Sequence, residues 1–209
     1  MSLSASVVAE IYSAKVGKDI SFAQILGLLE AGLFKSNLNG RRIDTADAVS
    51  KLDTHTAFVN DLSVLGDDVF RVSVIAADKS KDVVIIDDDG QEKLLATSNG
   101  ISYDDEKMQP LDIELASLAS DVSVNEDLID GLAERGATVV FTCKGYVARR
   151  HVRRLVGWSE MSGSAKRFLH TEPIESEFLD QYPNGFWINV PSGRATRLDY
   201  SSTQDIEQM

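Results

Sequence analysis

The hydrophobic period of this chain changes at Gly66, and that change limits the fold more than any other feature. Before it, apolar residues recur three and four apart, as amphipathic helices require. "SASVVAEIYSAKVG" sets Val7, Val8, Ile11 and Tyr12 on one side, with Ser4 or Ser6 as cap. "KDISFAQILGLLEAG" repeats the pattern, with Ser21 as N-cap, a stripe of Phe22, Ile25, Leu26 and Leu29, and Gly32 as stop. Asn39-Gly40 marks a hairpin turn, and "DTADAVSKL" and "HTAFVNDLSVLG" read as two more short helices. Beyond Gly66 the apolar runs are β-branched, so "DVFRVSVIAA", "KDVVIIDD" and "ATVVFTC" read as strands. Turns fall at Asp89-Gly90 and Asn99-Gly100, and "VNEDLIDGLAERG" is a helix capped by Asn125 and stopped by Gly136. "PIESEFLDQY" predicts a proline-started helix, and "FWINV" and "RATRLDY" predict a hairpin over Pro-Ser-Gly. Short glycine turns between strands favour antiparallel pairing. The expectation is an α+β chain: a helical module over 1–63, an acidic α+β domain with a mainly antiparallel sheet over 64–200, and a polar tail over 201–209.

Charge is laid out in blocks of opposite sign. The whole chain carries −12. Residues 64–142 alone carry −12, residues 143–167 carry +6, residues 168–209 carry −5, and residues 1–63 carry −1. The positive island centres on "KGYVARRHVRRLVGW". Helical spacing gathers Ala148, Val152, Leu155 and Val156 on one side and sets Arg149, Arg150, Arg153 and Arg154 mostly on the other. Strand spacing leaves neither face clean, so the helix is the better fit. A strand continuing from "TVVFTC" through a Lys144-Gly145 turn would instead use the arginines to guard a sheet edge. Three partners suit the row. One is nucleic acid, with stacking by Tyr146, His151 and Trp158. The second is an acidic protein. The third is the acidic middle of the same chain or of a second copy.

Residues 4–52 add a further reading. They run helix, tight turn, helix, hairpin, helix, with Ala9-Glu10 and Gly17 in and after the first helix, Gly32-Leu33 after the second, then Gly40-Arg41-Arg42-Ile43 and "TADAVSKL". This order resembles the winged helix-turn-helix domains of the excisionase and MerR-like families. The resemblance implies a second helix in the DNA major groove, reading with Lys18, Ser21 and Gln24. It also implies a wing touching phosphates or the minor groove through Lys35, Asn37, Asn39, Arg41 and Arg42. The sequence departs from a good DNA reader in that the second helix has no arginine and is flanked and ended by Asp19 and Glu30. A helical bundle, or a winged helix used for protein contacts, is the alternative.

Catalytic chemistry has little to work with. His55, His151 and His170 are far apart in sequence, Cys143 is the sole cysteine and sits in an apolar strand, and no zinc, P-loop or metalloprotease motif occurs. "DDDGQE" at 87–92 lacks calcium-loop spacing and reads as a solvated hairpin tip. Trp158 and Trp187 read as core or interface anchors. No catalytic residue, cofactor or metal is expected. No run is long and apolar enough to span a bilayer, the N-terminus lacks signal-peptide character, and a cytoplasmic location is expected. The leading functional expectation is a DNA-binding or DNA-associated regulatory protein with an acidic partner-binding or dimerisation domain. The alternative is a non-enzymatic interaction or assembly protein, of the phage- or plasmid-adaptor type, using complementary charged surfaces.

Overall fold

Local chemistry sets the first helices where the side chains direct them. The computed structural model describes residues 1–36, 42–76, 81–98, 100–103, 122–190 and, for the backbone, 196–200. Helix α1 (Ala5–Val16) starts where the Ser4 hydroxyl accepts from Val7 N–H and ends at Gly17, whose φ of 72° suits glycine. Helix α2 (Phe22–Glu30) opens on a capping box made by Ser21 and Gln24. It closes on a Schellman motif: Gly32 N–H donates to Leu29 O and Leu33 N–H to Leu28 O. Strand β1 (Ser2–Leu3) pairs antiparallel with β2 (Ile43–Asp44), and Asp44 then caps α3 (Thr45–Leu52).

The main sheet has five strands. At its centre β7 (Thr138–Thr142) lies parallel to β4 (Val69–Ser73), which in turn pairs antiparallel with the edge strand β12 (Thr196–Tyr200). Beyond β7 come β9 (Val152–Glu160) and β10 (Arg167–Pro173), both antiparallel to their neighbours. Helix α4 (Glu126–Glu134), capped by Asn125, lies in the connection between β4 and β7 and packs on β9. A second sheet sets β11 (Phe186–Ile188) between β3 (Phe58–Val59), parallel to it, and β8 (Tyr146–Val147), antiparallel to it. The hairpin of β5 (Val83–Ile86) and β6 (Glu92–Ala96) joins the rest through a bridge between Ile85 and Met161. The chain is therefore α+β with mostly antiparallel pairing, as the patterning predicts, and two parallel pairs that it does not.

One core cluster runs from the N-terminal helices into the sheet. Tyr12, Ile25, Leu28 and Phe34 share it with Phe70, Val139, Phe141, Leu155 and Trp187. A second cluster, with Val69, Val140, Val152, Leu179 and Phe186, fills the space between the two sheets and the short helix α5 (Glu177–Asp180).

Four local expectations are corrected by long-range pairing. "HTAFVNDLSVLG" is not a helix: Trp187 N–H takes the Ala57 carbonyl, β11 recruits 58–59 as a strand, and only a 3₁₀ turn at Leu62–Leu65 remains. Strands β11 and β12 do not form a hairpin with each other, because each is taken by a different sheet. Pro173 ends β10 rather than starting a helix, so α5 is only four residues long. The arginine segment is not helical. After a 3₁₀ turn at Arg149–His151 it is strand β9. Between Gly157 and Leu155 the register against β10 slips by one, leaving Val156 as a bulged residue, 51% exposed. The extra residue lets Leu155 and Trp158 both meet the main core, which strict alternation forbids. The 3₁₀ turn at Arg149–His151, the buried Arg153 and this slip together are why neither strand face reads clean in the sequence.

Candidate functional site

The face formed by α1, α2 and the turn between them is tied together by its own polar groups. Ser13 Oγ accepts from Ile20 N–H at 2.8 Å and fixes the turn between α1 and α2. Gln24 Oε1 accepts from Ser21 N–H at 2.9 Å, while its Nε2 donates to Lys144 O at 2.8 Å on the β7–β8 turn. The stem of Lys144 lies along Gly27, so close that a Cβ there would fall 2.5 Å from Lys144 Cε. Of the three expected groove residues, Ser21 is thus spent on capping and Gln24 on capping and docking. Lys18 is exposed and sits over the Phe58 ring at 5.0 Å. What α1 and the turn leave open is a shallow depression of about 470 Å³ beside Ser6, Glu10, Asp19, Ser21 and Phe22. Glu10, Asp19 and Phe22 are exposed on it, Phe22 by 50%. Spacing sets Phe22 on the apolar stripe with Ile25, Leu26 and Leu29, but Phe22 is exposed while Ile25 and Leu29 are buried.

At the wing position, Ser36 bridges antiparallel to Ile43, and Lys35 O accepts from Asp44 N–H at 2.9 Å. Lys35 N–H is taken by Asp47 Oδ2 at 2.8 Å. Arg42 is exposed next to this bridge. Asn37, Asn39 and Arg41 lie outside the described residues.

The four arginines do not share a face. Arg153 is 5% exposed, with its guanidinium reaching Thr171 Oγ1 and O at 3.4 and 3.3 Å. Burial holds that guanidinium below its ordinary pKa, with the Glu172 charge acting the other way. Arg154, on the opposite side, pairs with Glu172 at 2.9 Å. Arg149 pairs with Asp180 and also donates to Leu179 O. Arg150 is half-buried. Nearby, Arg167 stacks over Trp158 at 4.7 Å and pairs with Glu126, and Arg135 pairs with the buried Asp68 at 2.7 Å. The acidic middle therefore supplies Glu126 to the basic block, while Asp68 pairs with Arg135 inside the middle itself, and the carboxylates that meet Arg149 and Arg154 come from the C-terminal block. This geometry separates two substitutions. Arg153→Gln should cost about 1–3 kcal/mol, since it removes a buried guanidinium and leaves half-buried acceptors without a charged donor. Arg154→Gln should cost at most about 1 kcal/mol, because both partners are half exposed. Urea melts of the two variants distinguish the roles, and equal costs would contradict the assignment.

Behind these surfaces lies an aromatic cluster that no motif announces. Trp187 sits between Tyr12 (6.1 Å between ring centroids) and Tyr146 (5.6 Å) and donates from Nε1 to His55 O at 2.7 Å. His55 stacks on Tyr146, and Tyr103 lies against both Tyr146 and His151. Two of the three histidines thus flank a pair of touching tyrosines, His55 on Tyr146 and His151 on Tyr103. No known protein family matches this chain, and no curated protein or solved structure does.

The cluster offers poor chemistry. Burial pushes the Cys143 thiol up to about 12, so it is protonated at neutral pH and a weak nucleophile. Burial likewise raises the Tyr12 and Tyr146 phenols. His170, on β10, is held below the usual imidazole pKa by burial, against the pull of Asp88, and its Nε2 is 2.7 Å from Ser159 Oγ. Asp87 of the acidic hairpin tip accepts from Asp89 and Gln91 N–H groups and so closes its own turn. No group of three metal-ligating side chains occurs among the described residues. Nor is any helix among them long and apolar enough to cross a membrane. The Tyr12 hydroxyl is fully buried without a hydrogen bond. Tyr12→Phe should therefore be neutral or stabilising by up to about 1 kcal/mol in a denaturation series. A clear loss would reveal a partner for the hydroxyl.

Proposed function

We propose that this chain is a non-enzymatic interaction protein of the cytoplasm that meets a protein partner through its helix-turn-helix face. The observation that carries the reading is the fate of the basic block. Arg149 and Arg154 are each neutralised by a carboxylate of the same chain, and Arg153 is buried, so the arginine row is not an open cradle for phosphates. The helix-turn-helix face supports the same conclusion. It carries Glu10 and Asp19, which repel a phosphate backbone. It also carries a half-exposed phenylalanine of the kind that anchors protein interfaces. A lone, buried cysteine suits a reducing compartment. The test is a pull-down with the full chain beside light scattering across salt. The reading expects a partner that is recovered by the wild type and lost with Phe22→Ser. A strict monomer at low salt that recovers no partner overturns it.

Association with DNA through the wing is the second reading. It is favoured by the antiparallel Ser36–Ile43 bridge, beside which Arg42 is exposed. Anisotropy titration with duplex DNA at low salt tests it. Binding whose salt slope falls in an Arg41→Ala, Arg42→Ala variant supports the wing, and no binding, or a slope unchanged in that variant, removes it.

A further inference from the structure

From the depression between α1 and the start of α2 we infer the chemistry of its occupant: a cationic, amphipathic segment of a partner protein, with an apolar side chain set beside lysines or arginines. This rests on the proposal that the helix-turn-helix face binds protein. The most buried lining residues are apolar, Ala9 and Ile20 at 5% and 4% exposure, with the serines Ser6, Ser13 and Ser21 beside them. The rim of the depression bears the carboxylates of Glu10 and Asp19 and the exposed ring of Phe22. The nearest cation in sequence, Lys18, is directed to the Phe58 ring. The rim is therefore negative around these apolar residues, and the complementary surface is positive around an apolar anchor.

The walls are preformed. Ser13 holds Ile20 through both its N–H and its carbonyl, and the Ser21–Gln24 capping box holds Phe22 at the first turn of α2. Gln24 is itself tied to Lys144 O. An occupant meets a surface that needs no ordering of its backbone, which removes one of the main costs of docking a peptide. A negative rim also raises the encounter rate for a cationic segment and makes it fall with salt.

The ¹⁵N-labelled full chain is titrated with a short amphipathic Leu/Lys peptide, its Leu/Glu counterpart and a short DNA duplex. The expected result is amide shifts confined to Ser6, Glu10, Asp19 and Phe22 with the Leu/Lys peptide alone. Glu10→Gln with Asp19→Asn, and separately Phe22→Ser, should each weaken binding about tenfold, a difference of about 1.4 kcal/mol. All three positions are exposed, and circular dichroism of each variant confirms its fold. Shifts centred on the acidic hairpin at Asp87–Asp89 overturn the inference, as does binding that survives both variants. Equal shifts with the Leu/Glu peptide overturn the cationic chemistry while leaving a protein-binding face. The same shifts with duplex DNA overturn both the inference and the reading beneath it.

Discussion

Gly185→Ala should leave little folded protein. Gly185 has φ 105°, a conformation that L side chains rarely adopt. A Cβ at this position would lie 2.2 Å from the Val147 carbonyl oxygen and 2.9 Å from Ala148 Cα. Both are backbone atoms, and Val147 is held in β8 by its pairing with Phe186. Neither can yield without breaking the second sheet. The same Cβ would meet Tyr146 Oη, which donates to Asn184 O. Backbone strain and overpacking together should cost roughly 4 kcal/mol or more. That is a large share of the 5–15 kcal/mol typical of a domain. The expected result is aggregation on expression, or a denaturation midpoint far below wild type. Wild-type stability would mean that the chain turns differently at 185. Gly163, with φ 65° and nothing within 4 Å of its Cβ position, is the control and should cost far less.

Trp187→Ala should cost about 3–5 kcal/mol, the range for removing a large buried aromatic side chain. Trp187 is 1% exposed and is the residue at which the N-terminal helices, the loop before β3 and the second sheet meet. It touches Tyr12 of α1 and Tyr146 of β8, and its indole N–H satisfies the His55 carbonyl. Truncation opens a cavity against both tyrosines and takes the indole donor away from that carbonyl. Trp187→Phe keeps much of the volume and loses the hydrogen bond, so it should cost less than the alanine variant. Chemical denaturation followed by far-UV circular dichroism measures both. If the alanine variant lost less than 1 kcal/mol, the indole would not be the joint between the helices and the sheet. A coordinated loss of binding at the Phe22 face in folded Trp187→Phe protein would show that this joint also positions that face.

Capping and turn chemistry is written within a few residues. Ser4, Ser21, Asn125, Gly17, Gly32 and Gly136 announce helix ends because the hydrogen bonds they make reach only two to five positions along the chain. The change of period at Gly66 was enough for an α+β chain with β-branched strands, since burial on one face or two leaves its own repeat. Only the tertiary structure decided which strands pair. The parallel pairing of β4 with β7, and the parting of β11 from β12, join residues far apart in sequence and leave no local mark. The arginine run shows the same limit. Its bulge at Val156 and the burial of Arg153 follow from β7 and β10 on either side, and its ion pairs from where Glu172 and Asp180 come to rest. The candidate docking face was half legible. Its capping residues could be read from their spacing, but the outward turn of Phe22 depends on how α2 packs against a turn more than a hundred residues away, at Lys144. Local hydrogen bonding is encoded locally, whereas burial is a property of the whole packed chain.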